Sequence, residues 1–475
     1  MKNILMRFLQ RDGRPGRTAC RRKKRLPFTG GNDIIRRREC RFFRVEARDG
    51  ILRTEDSVML LYIDPGTGSM LFTILIGLFG ALIYALRNVL AKARFLFSGG
   101  VKSRGKADAG REEIVFFTDS GRYWNIFKPL CDEMDRRGQR VLYLTASPDD
   151  PLLKETYAHV RCEFAGEGNR AYARMNFIRA DIVLSSTPGL DVYQWKRSRD
   201  VKWYAHIIHA PNDVTRYRMF GLDYFDAVLV SGEYQVRQIR GLEKARELPE
   251  KEVVLVGLPQ LDYMREKCLH NPPPEKEGTT VLLAPSWGPS SIFNRFGERM
   301  IRALIATGYH LIIRPHPQSM TSEKELIGRL RAQFPDCEGL EWNFDNDNFD
   351  VLNRSDILIS DFSGVMFDFA LVFGKPIIYA DVSFDKGPYD ASWLDEELWT
   401  LTVLDRLGRQ LTAENADHIG ALIDECMKAP EFAAGREQAR QETWVNIGNS
   451  VRATADYLTA KEASLKAPEE AGQGR

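Results

Sequence analysis

The chain of 475 residues contains only 7 cysteines. Their number is odd and no two stand as Cys-x-x-Cys, which argues against a disulfide framework or a cysteine-rich zinc site and for a reducing compartment. Histidine is equally scarce, at 7 residues, so the few that fall at strand ends carry weight. An excess of either charge is nearly absent overall, 67 Lys/Arg standing against 65 Asp/Glu for a net of +2. That balance hides an asymmetry. Residues 1–58 hold 17 Lys/Arg against 7 Asp/Glu, a net of +10, so the remainder carries −8. A nucleic-acid partner would need basic charge on a folded face, whereas here it lies on a terminal stretch with weak periodicity. No nucleic-acid function is therefore expected. The phosphate-loop pattern is also missing, because "DPGTGS" (64–69) is not followed by Gly-Lys-Ser/Thr and reads as a turn. What is present is ordinary for a folded protein, 44% hydrophobic and 28% charged residues in a length suited to two or three domains.

Long apolar runs are absent except for one. Pro65 to Leu86 is 22 residues without a charge. As a helix it would reach roughly 33 Å, enough for a bilayer core of about 30 Å. Arg87, Lys92, Arg94, Lys102, Arg104 and Lys106 follow it, so the positive-inside rule puts the large C-terminal part in the cytoplasm. The expectation is a single-pass protein of the cell membrane. The same rule disfavours export of the basic residues 1–58, and Met59 opens a stretch with almost no charge. Residues 1–58 thus read as disordered or as lying before the true start, and 59–106 as anchor and juxtamembrane segment.

From residue 107 short apolar runs alternate with amphipathic stretches. "EIVFFTD" (113–119), "RVLYLT" (140–145), "ADIVLSS", "VKWYAHIIH", "FDAVLVSG" and "KEVVLVG" read as strands, and 123–138 has helical spacing. This βαβ rhythm predicts a parallel sheet covered by helices on both faces. "HNPPPEKEGTT" (270–280) interrupts it as a linker. The rhythm restarts with "TVLLAPSW", a helix in "FGERMIRALIATG", the strand "YHLIIRPHP" and a helix near 322–333. The expected class is α/β, with Rossmann-like halves at 107–269 and 281–428 facing a cleft, and a helical and polar tail at 429–475. Ligands of such folds bind at the carboxyl ends of the strands.

One strand end stands out. In "SDILISDFSGVMFDFALVFGKPIIY" (355–379) two apolar elements flank Ser360, Asp361, Ser363 and Gly364, and a single acid, Asp368, lies within the following helix. A helix starting at Ser363–Gly364 offers unpaired N–H groups and a positive dipole end to an anion. A plainer reading makes Ser363 an N-cap and Asp361 a turn residue. Asp368 lies too deep for a cap, and a buried acid needs a donor such as a sugar hydroxyl.

These residues resemble the signature of the CDP-glycerol glycerophosphotransferase family, which includes teichoic-acid primases and polymerases. The likeness spans roughly 180–390 and extends to "AHIIHAPND", "VGLPQLDYM", "VLLAPSW" and "RPHP", in that order. It implies a GT-B fold and transfer of glycerol phosphate, or a related polyol phosphate, from CDP-glycerol to a hydroxyl with release of CMP. By motif position, Ser360, Asp361, Ser363 and Gly364 would hold the donor pyrophosphate, Asp368 a hydroxyl of ribose or glycerol, and Arg314 a phosphate. His209 would be the general base, a role that an unperturbed pKa near 6.5 suits. His316 would contact the phosphates or the departing CMP. Where the family has Trp-His-Gly-Thr-Pro this chain has "IHAPND", which leaves the acceptor open. His206, Asp213, Arg216 and Arg218 are the acceptor-side candidates, with a solvated helix face as the alternative for the arginines and a structural role as the alternative for either histidine.

The expected partners are a CDP-polyol, a lipid-linked acceptor and the membrane, with no cofactor. Asp345 and Asp347 in "DND" have the Asp-x-Asp form of a metal site, but their Asn/Asp-rich loop before a helix reads as a cap, and no metal is expected. Two further readings stand beside this one: a GT-B glycosyltransferase or epimerase using a UDP- or CMP-sugar, and a catalytically silent membrane nucleotide sensor.

Overall fold

The computed structural model describes residues 110–467, apart from Asn346, Phe362 and 381–383. The basic stretch 1–58 and the expected span at 65–86 lie outside the described residues. Among the described residues no helix is long and apolar enough to cross a membrane.

Seven strands form the first sheet: β1 (Glu112–Thr118), β2 (Val141–Thr145), β3 (Val160–Phe164), β4 (Ala180–Ser185), β5 (Val201–Ile207), β6 (Ala227–Val230) and β7 (Glu252–Leu255). Their order is 3-2-1-4-5-6-7 and every pairing is parallel. The second sheet contains β8 (Thr280–Leu283), β9 (His310–Ile313), β10 (Leu340–Trp342), β11 (Ile357–Ser360), β12 (Ile377–Ala380) and β13 (Gly408–Leu411). It is also wholly parallel, in the order 10-9-8-11-12-13. Central strands such as β8 and β11 are buried along their whole length, as expected of a parallel sheet covered on both faces. The helix Trp124–Arg136 shows why the covering forms: Ile126, Phe127, Leu130, Cys131 and Met134 make one buried stripe at helical spacing.

The C-terminal helix Ser450–Lys466, which the sequence suggested as a separate tail, returns to the first sheet. Ala455 and Leu458 share a core with Phe116, Tyr143 and Ile182. The indole of Trp203 donates to the Tyr457 hydroxyl at 3.2 Å. The approach of this helix is held by residues of "VGLPQLDYM". Asp262 accepts from the Trp444 indole (3.0 Å), the Gly448 N–H (2.7 Å) and the Ser450 N–H (2.7 Å). Gly257 has φ +94°, and a Cβ there would lie 2.2 Å from the Val445 carbonyl oxygen. That element of the sequence secures the chain's return.

Both sheets reverse winding direction once, between β1 and β4 and between β8 and β11. The loops leaving these strands are where doubly wound sheets place their ligands. The turn after β11 is thus at the switch point of the second sheet, and the segment Asp119–Tyr123 is at that of the first.

Candidate active site

The second sheet contributes the turn and His316. After β11 the chain makes a short helical turn, Val365–Phe367, that runs into a π-helical turn, Asp368–Val372. The helix expected to start at Ser363–Gly364 thus widens into a π-helical coil after one turn, a distortion frequent at functional sites. Among the described residues the N–H groups of Ser363 and Gly364 have no acceptor, while their carbonyls take the first helical bonds from Met366 and Phe367. Asp368 is half-buried, and its carboxylate has no hydrogen-bond partner among the described residues. Burial alone raises its pKa to about 7.

His316 follows β9. Its Nδ1 accepts from the Gln318 N–H at 3.1 Å, so in the neutral ring the proton sits on Nε2. Burial is the largest influence on its pKa and lowers it; the Arg122 charge acts in the same direction, against Asp361 and Glu323. The ring is therefore a neutral donor at physiological pH.

The first sheet contributes His209, just beyond β5. Burial lowers its pKa to about 4, well below the unperturbed value that the sequence suggested. Its ring centroid lies 4.6 Å from that of Tyr123, and Gln260 fixes its backbone carbonyl at 2.6 Å. The Tyr217 hydroxyl lies 3.5 Å from His209 Nδ1 and 2.8 Å from His206 Nε2. No described residue bonds His209 Nε2.

The segment Gly121–Tyr123 links the two halves of the site, since Tyr123 packs on His209 and the adjacent Arg122 acts on His316. Arg122 is exposed and has no ion-pair partner among the described residues. It is a candidate that sequence reasoning missed: "SGRYW" matches no motif, and only the strand order places it at the switch point of the first sheet.

Several expected ligand residues are engaged elsewhere. The Ser360 hydroxyl donates to the Ala284 carbonyl at 2.6 Å and is fully buried, so it ties β11 to β8 instead of facing a pyrophosphate. Asp361 accepts from the Ser286 N–H (2.8 Å) and the Ile292 N–H (3.2 Å), holding the loop after β8. Arg314 donates to the Asn343 side chain and to the Asp345 carbonyl at 2.6 Å. Asp213 accepts from Gln238 (2.6 Å) and from the Trp399 N–H (2.8 Å), the Thr400 N–H (2.9 Å) and the Thr400 hydroxyl (2.6 Å). A side chain with its valences filled in this way shapes the site and leaves little for a ligand.

His206 is fully buried, which removes it from direct contact with an acceptor. Arg216 lies over the Phe384 ring at 5.1 Å, and Arg218 is exposed. Asp347 accepts from the Phe349 N–H at 3.0 Å and pairs with Lys267, as a helix cap would.

The structure is similar to the wall teichoic acid polymerase TagF, solved after a soak with CDPG, at TM-score 0.50 and 16% identity over 82% of this chain and 98% of that one. It is similar to MnaA of S. aureus, solved with UDP, at TM-score 0.50 and 11% identity over 72% and 94%. At these identities the likeness shows a shared two-sheet α/β architecture of the GT-B kind. A putative UDP-N-acetylglucosamine 2-epimerase from Listeria monocytogenes also matches, at TM-score 0.48 and 12% identity over 75% and 97%. No curated protein matches the sequence. The family model of CDP-glycerol:poly(glycerophosphate) glycerophosphotransferase matches residues 217–399, a segment that holds Tyr217, His316 and the whole turn after β11 and begins eight residues after His209. Over this segment, which is less than half of the chain, the protein is similar to the CDP-glycerol glycerophosphotransferase family.

Proposed function

We propose that the protein transfers glycerol phosphate, or a related polyol phosphate, from a CDP-activated donor to an acceptor hydroxyl. The observation that carries this reading is a pair of neutral imidazoles at strand ends of opposite sheets, with one ring nitrogen of each left without a protein partner, around the Arg122–Tyr123 segment. His209 Nε2 removes the proton from the acceptor hydroxyl. The resulting oxygen forms a bond to the phosphorus that carries glycerol, and the bond from that phosphorus to the CMP oxygen breaks. CMP leaves with the electron pair. His316 Nε2–H and the Ser363 and Gly364 N–H groups donate to the phosphate oxygens as charge shifts onto CMP. Asp368 accepts from a donor hydroxyl. A base depressed to about 4 is unprotonated at neutral pH, and the incoming phosphates raise its basicity at the step where it acts.

The proposal includes a cell-membrane location with the catalytic part in the cytoplasm, anchored through 65–86. Support for this is the uncharged sequence there and the basic residues after it. Such an anchor would confine the site near a lipid-linked acceptor of cell-envelope polymer synthesis and raise its effective concentration.

The test is CMP release by the full-length chain from CDP-glycerol, CDP-ribitol and a UDP-sugar, with and without a glycerol-phosphate-primed lipid, for wild type, His209→Ala and His316→Ala. Acceptor-dependent release of CMP from a CDP-polyol, lost in His209→Ala, is the expected result. Turnover of the UDP-sugar alone would overturn the donor assignment and favour a glycosyltransferase or epimerase.

A further inference from the structure

A general base is useful only when its lone pair faces the proton it removes, and a neutral imidazole offers that lone pair on one nitrogen alone. The surroundings of His209 decide which. Its ring is met by Tyr123, whose ring packs on it, and by Tyr217 and His206 behind it. The Tyr217 hydroxyl stands between the two histidines, 2.8 Å from His206 Nε2 and 3.5 Å from His209 Nδ1. A hydroxyl has one proton and can donate to only one of them. His206 Nδ1 is buried without a hydrogen-bond partner, and the tyrosine's single proton makes the better bond across the 2.8 Å contact to Nε2, which puts the ring's own proton on Nδ1. Tyr217 thus donates across the shorter contact to a bare His206 Nε2. Its oxygen then accepts across the longer one, from His209 Nδ1–H.

We infer that Tyr217 and His206 form a directional hydrogen-bond chain that holds His209 as the Nδ1–H tautomer and so presents its bare Nε2 to the acceptor hydroxyl. This rests on the reading of His209 as the base. Both are positioning residues: His206 has no exposed surface and the Tyr217 hydroxyl is committed to the two rings. The chain also explains why a second histidine stands three residues before the first, at a place where contact with substrate is impossible.

The test reads the tautomer directly. Long-range ¹⁵N–¹H spectra of histidine-labelled full-length protein, with His209 assigned by His209→Gln, are compared with those of Tyr217→Phe, His206→Gln and His206→Leu. In wild type His209 shows a protonated Nδ1 and a bare Nε2. Tyr217→Phe shifts it toward the Nε2–H form, and so does His206→Leu, whereas His206→Gln, which keeps an acceptor for the tyrosine, leaves it in place. In the transfer assay Tyr217→Phe lowers kcat about tenfold or more, within the range of a misoriented base, and leaves KM for the CDP-donor unchanged. A wild-type His209 protonated on Nε2, or a tautomer indifferent to Tyr217→Phe, overturns the inference. Correct tautomers in a protein that transfers nothing would leave the hydrogen-bond chain standing and remove the assigned activity.

Discussion

The ends of β5 and β11 both carry part of the site, yet they are built in opposite ways. After β5 the functional groups are side chains: His209, with Tyr217 and His206 behind it, has a nitrogen left for substrate. After β11 the polar side chains are largely spent on the fold. Ser360 bonds Ala284 and Asp361 bonds Ser286 and Ile292, which leaves the backbone N–H groups of Ser363 and Gly364 and the lone Asp368 to face a ligand. In the proposed function one half supplies proton chemistry and the other an anion cradle. Polar residues clustered at a strand end are therefore of two kinds, and only their hydrogen-bond partners tell them apart.

The largest effect that can break this comparison is expected at His209. His209→Ala should lower kcat by about 10²–10⁴-fold, the usual contribution of general base catalysis, with thermal unfolding unchanged because the ring is half-buried and bonds weakly to its neighbours. Steady-state kinetics beside calorimetry checks both parts. Asp361→Ala should show the converse. It strips the acceptor from two buried N–H groups, each costing about 1–3 kcal/mol when left unpaired, so the midpoint of denaturant unfolding should fall. An Asp361→Ala protein as stable as wild type, yet unable to bind donor, would show that this carboxylate meets the ligand after all.

Much of the architecture was legible in the sequence, because buried parallel strands are near-continuous apolar runs. "TVLLAPSW" and "SDILIS" announce β8 and β11, and the linker prolines fall between the two sheets. β3 (Val160–Phe164) escaped notice because "VRCEF" alternates apolar and polar residues at a sheet edge, and β13 (Gly408–Leu411) because "GRQL" has no β-branched residue. The site was half legible. Residue type reveals that Arg314 can donate and Asp213 accept, but which carbonyl or N–H fills them depends on residues 25 to 187 positions away. The π-helical turn at Asp368 and the bridging hydroxyl of Tyr217 leave no mark on periodicity. The element 256–264, known from the sequence only as part of the family resemblance, secures the returning helix through Asp262.

Asp368 allows a finer test of the second half. Its folded pKa, raised to about 7, exceeds the unfolded carboxyl value near 3.9. The folded state therefore holds the proton more tightly, and stability is greatest below about pH 4. It falls as pH rises through the interval up to about 7 and is level above that. Asp368→Asn removes the titration. Relative to wild type, the variant should match at pH 4 and gain stability by pH 8, while donor affinity weakens about tenfold for loss of one charge-assisted hydrogen bond. Parallel unfolding curves for the two proteins across this range would mean that Asp368 is solvated in the fold.

The smallest change in the fold gives the sharpest reading of the anion cradle. Gly364 has φ −58° and a Cβ added there would meet nothing within 4 Å, so neither strain nor packing requires a glycine. Gly364→Ala should leave stability within about 1 kcal/mol, the scale of glycine against alanine in helical backbone. The glycine is then explained by what approaches from solvent. A methyl group in that space would keep a phosphate oxygen from the Ser363 and Gly364 N–H groups, so the affinity for CDP-glycerol or CMP, measured by calorimetry, should fall about tenfold with the unfolding curve unmoved. Unchanged affinity in a stable Gly364→Ala protein would place the pyrophosphate away from the β11 turn and leave His316 and Arg122 as its remaining partners.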